Sequence, residues 1–353
     1  MVMPRDLPFE PRASWRDVLR GRARVVGSRT LVGRRDLKLD PGLVSPYELR
    51  VAAGLHYGDP PIEEARYQRD RTLRSDAKTL ARFLLTRAFP ASDAPPPSGR
   101  HHVVSAAIDS CNTGEAVQTI LAWLREKRGA VVFFVHPHAL NLAARGTQLR
   151  DDLASADLVL PDGIGIRVAA LVLGLSLPAN VNGTDLIPEV LLELAANDIP
   201  IALIGGKPGV AERALEHWRK RVPLRSLGTW DGFQPEQVYE EAAAYLEDHA
   251  PCLVLLAFGS PLQERFAIRH FRKRSGVVAV TVGGLFDFAA GDVPRAPLAW
   301  RELGLEWVWR LLQEPHRLGP RYLLGNPAFI ARAVWQRARS GSIEEGASTD
   351  DAR

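Results

Sequence analysis

The chain has 353 residues, 46% of them hydrophobic and 24% charged, enough to bury a large core in more than one folded unit. Its formal charge of +4 suits phosphate groups, an anionic membrane surface or nucleic acid, and does not choose among them. Cys111 and Cys252 are the only cysteines, which argues against a disulfide framework or a cysteine metal site and for a reducing cytoplasm.

No apolar run reaches the roughly 20 residues that span a bilayer, and the first residues carry prolines, acids and arginines instead of a signal-peptide core. Membrane contact is therefore expected to be peripheral. In chain order, residues 1–92 form a basic segment containing Arg16, Arg20, Arg22, Arg24, Arg29, Arg34 and Arg35. Its one predicted helix, Leu73–Phe89, rests on the helical spacing of Leu73, Ala77, Leu80, Ala81 and Leu84. Apolar sequence is sparse before Leu73, so the segment is expected either to need a partner surface or to be a disordered arm. Residues 93–100 contain Pro95-Pro96-Pro97 and read as a stiff linker.

From 101 to 302 strands and helices alternate. Predicted strands are Val103–Ile108, Ala130–Val135, Leu158–Leu160, Ile201–Ile204, Leu224–Leu227, Leu253–Phe258 and Val277–Val282, several of them continuous apolar runs of the kind buried on both faces. Between them lie predicted helices Thr113–Lys127, Ile164–Leu173, Pro188–Asn197, Gly209–Arg221, Pro235–Asp248 and Leu262–Lys273. This order implies an α/β fold with a doubly wound, mostly parallel, Rossmann-like sheet. A basic, aromatic and helical C-terminal appendage (303–339) and a polar tail expected to be disordered (340–353) follow.

Ligands of such sheets bind at the carboxyl ends of the strands, so the turns there are the candidate site. Pro161-Asp162-Gly163 lifts a carboxylate to a strand end, where Asp162 either carries chemistry or caps the next helix. Gly205-Gly206-Lys207-Pro208-Gly209 brings backbone N–H groups and a helix start toward an anion; its spacing fits neither the dinucleotide fingerprint nor a P-loop. Gln263, after Gly259-Ser260-Pro261-Leu262, reads as an amide for a sugar hydroxyl or base edge, or as a first-turn surface residue. Asp185 is well explained as a helix cap and Asp287 as a buried, hydrogen-bonded group. Arg295, Arg310 and Arg321 are either phosphate ligands or surface ion pairs. His136 ends a strand and either binds a phosphate or hydroxyl or packs as a neutral ring.

Taken in order, Pro161-Asp162-Gly163-Ile164-Gly165, Gly183-Thr184-Asp185-Leu186, Leu203-Ile204-Gly205-Gly206, Gly259-Ser260-Pro261-Leu262-Gln263-Glu264, Gly283-Gly284-Leu285-Phe286-Asp287-Phe288, Arg295-Ala296-Pro297 and Glu306-Trp307-Val308-Trp309-Arg310-Leu311, with Arg321-Tyr322-Leu323, resemble the WecG/TagA/CpsF family of glycosyltransferases over His101 to Ala333. That resemblance implies transfer, with inversion, of an N-acetylmannosamine-type sugar from a UDP-sugar donor to a lipid-pyrophosphate-linked sugar in cell-wall or exopolysaccharide synthesis. It implies substrate contacts from His136, Asn141, Gly163, Asn180, Gly183, Asp185, Gly205, Gly206, Gly259, Gln263, Gly284, Asp287, Arg295, Arg310 and Arg321. Two positions depart from the family pattern: Phe134-Val135-His136 stands where Thr-x-Asn is usual, and Asn180 where arginine is usual. Val18-Leu19-Arg20-Gly21, Thr30–Arg35, Pro41-Gly42-Leu43, Tyr67 and Leu73-Arg74-Ser75-Asp76 further resemble the C-terminal part of bacterial polyprenyl-phosphate sugar transferases, with Glu10-Pro11 at the position of their catalytic Asp-Glu pair.

Glycosyl transfer to a hydroxyl needs a base and a means to stabilise the departing nucleoside diphosphate. Asp162 is the expected base. The chain has no Asp-x-Asp, so arginines and helix N-termini are expected to meet the diphosphate, with no metal and no other cofactor. A membrane surface is an expected partner through the C-terminal and N-terminal basic segments, on the cytoplasmic face of the cell membrane; nucleic acid is not, and a homo-oligomer fits the reading. The rival is a non-catalytic sugar-nucleotide-binding scaffold of a polysaccharide assembly complex, favoured by the two altered positions and opposed by Asp162, Gln263 and Arg295.

Overall fold

The computed structural model describes residues 13–28, 40–52, 64, 67–86, 99–175, 177, 181–297, 300–301 and 303–350. Asn180, Thr30–Arg35 and most of the Pro-rich linker lie outside them. The chain forms two compact units, Met1–Asp93 with Ala296–Gln313, and Ala94–Arg295 with Glu314–Arg353.

In the first unit, helix α1 (Trp15–Leu19) opens with a capping box: the Ser14 hydroxyl accepts from the Asp17 N–H, and the Asp17 carboxylate accepts from the Ser14 N–H at 2.8 Å. Strand β1 (Arg24–Val26) runs parallel to β2 (Gly42–Val44), followed by α2 (Pro46–Ala52) and α3 (Leu73–Thr86). Polar bonds hold this small unit together where apolar residues are few. Asp76 accepts from the Tyr67 hydroxyl at 2.6 Å and from the Arg71 guanidinium at 2.7 Å, and the buried Glu64 accepts from the Tyr47 N–H at 3.0 Å. The described part of the segment is thus folded, not a disordered arm.

The second unit contains the α/β domain. Its six-stranded sheet has the order β6-β5-β10-β9-β7-β8, all neighbours parallel. The strands are β5 (Ala130–Val135), β6 (Leu158–Pro161), β7 (Ile201–Gly205), β8 (Ser226–Trp230), β9 (Cys252–Ala257) and β10 (Val277–Thr281). Val103–Ile108, expected as one more strand, is instead a hairpin of β3 (Arg100–Val103) and β4 (Ala106–Asp109). Val104 turns the chain at φ +59°, a conformation costly for a β-branched residue and not signalled by an apolar run. The edge strand β8 lies slightly later than the Leu224–Leu227 expected for it.

Alternate residues of β5 enter opposite cores. Val132 and Phe134 face a layer built from Val117, Ile120, Leu186 and Val190, whereas Val131, Phe133 and Val135 face one built from Leu140, Leu153, Ile166 and Phe329. The first layer comes from α4 (Thr113–Arg125), α8 (Gly183–Ala196), α9 (Val210–Arg219) and α12 (Leu285–Ala290); the second comes from α5 (Pro137–Arg145), α6 (Thr147–Ala154), α7 (Ile164–Leu173), α10 (Glu236–Asp248), α11 (Leu262–His270) and the C-terminal helix α14 (Gly325–Asp350). On the chain, α13 (Pro315–Gly319) and a π-helical turn, Pro320–Leu324, lead into α14. With helices on both faces, ligand access is left to the strand ends.

Candidate active site

The carboxyl ends of β5 and β6 meet directly. The Asp162 N–H donates to the Val135 carbonyl at 2.8 Å, so Asp162 sits beside the strand end from which His136 projects. Gly163 follows at φ +90° and occupies the N-cap position of α7. Asp162 stands one residue before that position. Glycine is needed here because an L side chain is strained at that φ, and Gly165 brings α7 against α5, where a Cβ would lie 2.5 Å from Pro137.

His136 is the N-cap of α5: its Nδ1 accepts the Ala139 N–H at 3.0 Å, with Pro137 opening the helix. That bond leaves the proton of a neutral ring on Nε2, which stands 2.7 Å from the Arg321 guanidinium. Two donors thus converge at the end of β5. His138, whose ring centre is 6.0 Å from that of His136, is held below its ordinary value by burial and by Arg321 and Arg145. A few residues along α5, Asn141 is buried and spent on the C-terminal helix: its amide donates to the Gly325 carbonyl at 2.7 Å and accepts from Arg332 at 2.5 Å.

A second cluster lies at the start of α8. This helix begins at Gly183, five residues before the expected Pro188, and its cap is Asn182, whose side chain accepts the Asp185 N–H at 2.9 Å. Asp185 is consequently not the cap. Its buried carboxylate accepts from Asn182 at 2.8 Å and from Arg295 at 2.5 Å, and Arg295 also reaches the Thr184 hydroxyl at 3.0 Å. Arg295 is an ion pair, with a buried partner and not on the open surface. Gly183 packs against Phe134, whose ring would be 3.2 Å from an added Cβ.

The third cluster joins the ends of β7, β9 and β10. Gly205, at φ +118°, ends β7 so close to β9 that a Cβ would come 2.4 Å from the Ala257 carbonyl oxygen, which leaves only glycine. The Gly206 N–H donates to that carbonyl at 2.8 Å, and the Gly206 carbonyl accepts from Gly232 at 2.8 Å. Lys207 is exposed at this turn and Phe233 is 74% exposed after β8; neither was among the substrate contacts expected from the sequence. A cation directly after a strand-end Gly-Gly was the available signal for Lys207; Phe233 gave none.

Gln263 is buried, not a surface residue, and its carbonyl accepts from both Gly259 (3.2 Å) and Gly283 (3.1 Å). Gly284 caps α12, and Asp287 lies in the first turn of that helix. Asp287 is half-buried and makes no side-chain hydrogen bond among the described residues, contrary to the buried, bonded group expected. Burial and then Asp292 push its carboxyl up, while Lys207 and Arg317 act in the opposite direction. Arg310 belongs to the other compact unit, on the helix Glu306–Gln313, and stands 3.9 Å from Glu306.

The arrangement offers a carboxylate, two convergent donors beside it, and a glycine turn with a lysine. Comparison with known proteins agrees with a transferase site. Residues 101–342 match the model of the Glycosyl transferase WecG/TagA/CpsF family. The chain is 29% identical over 236 residues to an N-acetylglucosaminyldiphosphoundecaprenol N-acetyl-beta-D-mannosaminyltransferase of Bacillus spizizenii, covering 67% of this chain and 90% of that protein. A Bacillus subtilis protein of the same description is 29% identical over 196 residues, covering 55% of this chain and 76% of its own. A family match over more than half of the chain, on the sheet and helices just described, makes this protein a glycosyltransferase of the WecG/TagA/CpsF family.

Proposed function

We propose that the protein transfers an N-acetylmannosamine-like sugar, with inversion and without a metal, from a UDP-sugar to a polyprenyl-pyrophosphate-linked sugar in exopolysaccharide or cell-wall glycan synthesis. The observation that carries the reading is the juxtaposition of Asp162 with His136 and Arg321 at adjoining strand ends. In this reading the Asp162 carboxylate takes the proton of the acceptor hydroxyl as that oxygen attacks the anomeric carbon, and the bond to the UDP oxygen breaks on the opposite side of that carbon. The names of the two Bacillus relatives support a sugar on a diphosphoundecaprenol as acceptor.

A diphosphate oxygen held alongside His136 Nε2 and the Arg321 guanidinium would accept from both. Lys207 and the N–H groups at the start of α9 supply further positive potential at the glycine turn. Among the described residues no helix is long and apolar enough to cross a membrane. Leu323, Leu324 and Trp335 are nonetheless exposed, and Arg339 lies 4.2 Å from the Trp335 ring centre, a mixture suited to an anionic interface. The test is incubation with a panel of UDP-sugars and polyprenyl-pyrophosphate sugars, followed by mass spectrometry. A sugar added to the lipid supports transfer; UDP-sugar binding without product in any pairing favours the scaffold.

A further inference from the structure

We propose that Gln263 and Glu264 form a clasp that fixes the glycine turns after β9 and β10, making Gln263 a positioning residue and not a ligand of the sugar. Its side-chain carbonyl accepts from Gly259 at 3.2 Å and from Gly283 at 3.1 Å, which occupies both lone pairs with backbone from two neighbouring strand ends. Its amide nitrogen donates to the Glu264 carboxyl at 3.1 Å, with the Ser260 hydroxyl at 3.5 Å. An amide spent in this way has little left for a sugar hydroxyl.

Glu264 decides which way that amide faces. The nitrogen and oxygen of a glutamine amide have nearly the same shape, so the surroundings must distinguish them. Glu264 Oε1 accepts from the Gln263 amide and from the Ser260 hydroxyl, the latter at 2.6 Å, and so draws the nitrogen away from the two glycine N–H donors. Glu264 is 0% exposed, and its Oε2 has no hydrogen-bond partner, a situation that an uncharged acid tolerates better than a carboxylate. Burial pushes the Glu264 carboxyl up and Asp152 adds to the shift, while Ser260 and Gln263 oppose it.

Its reach extends over three strand ends. Gly283 leads into α12, which carries Asp287. Gly259 follows the end of β9, where Ala257 accepts the Gly206 N–H of the β7 turn. Both clasped glycines are left-handed, at φ +76° and +54°, and neither carries a side chain of its own to pack in place. The functional consequence rests on the donor reading above, which sets UDP at the ends of β5 and β7, the two strands that flank β10 and β9 in the sheet.

The test begins without ligand, by amide hydrogen exchange on the whole chain. In Gln263→Met the Gly259 and Gly283 amides are expected to exchange at least roughly tenfold faster, with Val254 and Val280 inside the strands unchanged. UDP affinity, measured by calorimetry, is expected to fall by about tenfold. Glu264→Gln, which keeps an acceptor oxygen and no charge, should stay within about twofold of the parent in both readouts, whereas Glu264→Leu should match Gln263→Met and add nothing to it in the double variant. Unchanged glycine exchange in Gln263→Met, especially with a fall in kcat alone, would overturn the clasp in favour of direct sugar contact. Faster exchange with unaltered UDP affinity would leave the clasp standing and overturn the placement of UDP beside it.

Discussion

The Nε2 of His136 stands 2.7 Å from the Arg321 guanidinium, and because Nδ1 is committed to the Ala139 N–H, both face each other as donors. If a substrate phosphate is what they share, His136→Phe and Arg321→Met should each raise KM by roughly 10–100-fold, the worth of a hydrogen bond to a charged group. The double variant should be less than multiplicative, since one oxygen is shared. Steady-state kinetics on all three variants checks this; altered stability with unchanged KM would remove the anion from the account.

Arg295 and Asp185 form a 2.5 Å ion pair in which Asp185 is only 8% exposed. Arg295→Met leaves that carboxylate without its cation and is expected to cost about 3 kcal/mol of stability. Asp185→Asn in the same chain should restore part of the loss, because a neutral amide can still bond to Asn182. Urea unfolding of the three variants measures the difference.

Much of this was readable from residues, and the failures have physical causes. β5 followed from the apolar run Ala130–Val135. The glycine turn after β7 followed from Gly205-Gly206, where a Cβ has no room. The hairpin at Val104 was hidden because its turn residue belongs to the strand-forming class. The cap Asn182 was overlooked because Pro188, inside the helix, drew the start too late. The true partners of Gln263 and Asn141 come from other strand ends and from α14, and no local pattern encodes such contacts. Asp287 was misjudged because flanking phenylalanines signal burial of the helix, not of each residue on it.

The first compact unit should respond to pH through Glu64. Burial pushes its carboxyl from the ordinary 4.5 up to about 7, so the folded state holds the proton more tightly than the unfolded chain. The stabilisation is fully present below about 4.5 and is lost as pH rises through about 7, by roughly 3 kcal/mol in total. Thermal unfolding of this unit should fall in temperature between these pH values, and Glu64→Gln should flatten the dependence. An unaltered slope in Glu64→Gln would assign the effect to another group.

Membrane docking can be tested on the exposed apolar residues of the C-terminal region. Leu324→Ser with Trp335→Ser is expected to weaken binding to vesicles of anionic lipid by roughly tenfold or more, from the apolar area lost to the interface. Binding to neutral vesicles should be weak in both proteins. Cosedimentation that does not distinguish parent from variant would place the docking surface elsewhere.

The most direct test of the central claim is the turnover rate of Asp162→Asn with a UDP-sugar and a polyprenyl-pyrophosphate sugar that the parent converts. Gly163, not Asp162, holds the N-cap position of α7, and asparagine keeps the size and the acceptor oxygen of the side chain while removing its basicity. The rate is expected to fall by about 10²–10⁴, the usual worth of a positioned base, with UDP-sugar affinity retained. Turnover at the parent rate in Asp162→Asn, with loss of activity in Asp185→Asn or Asp287→Asn, would contradict the assignment.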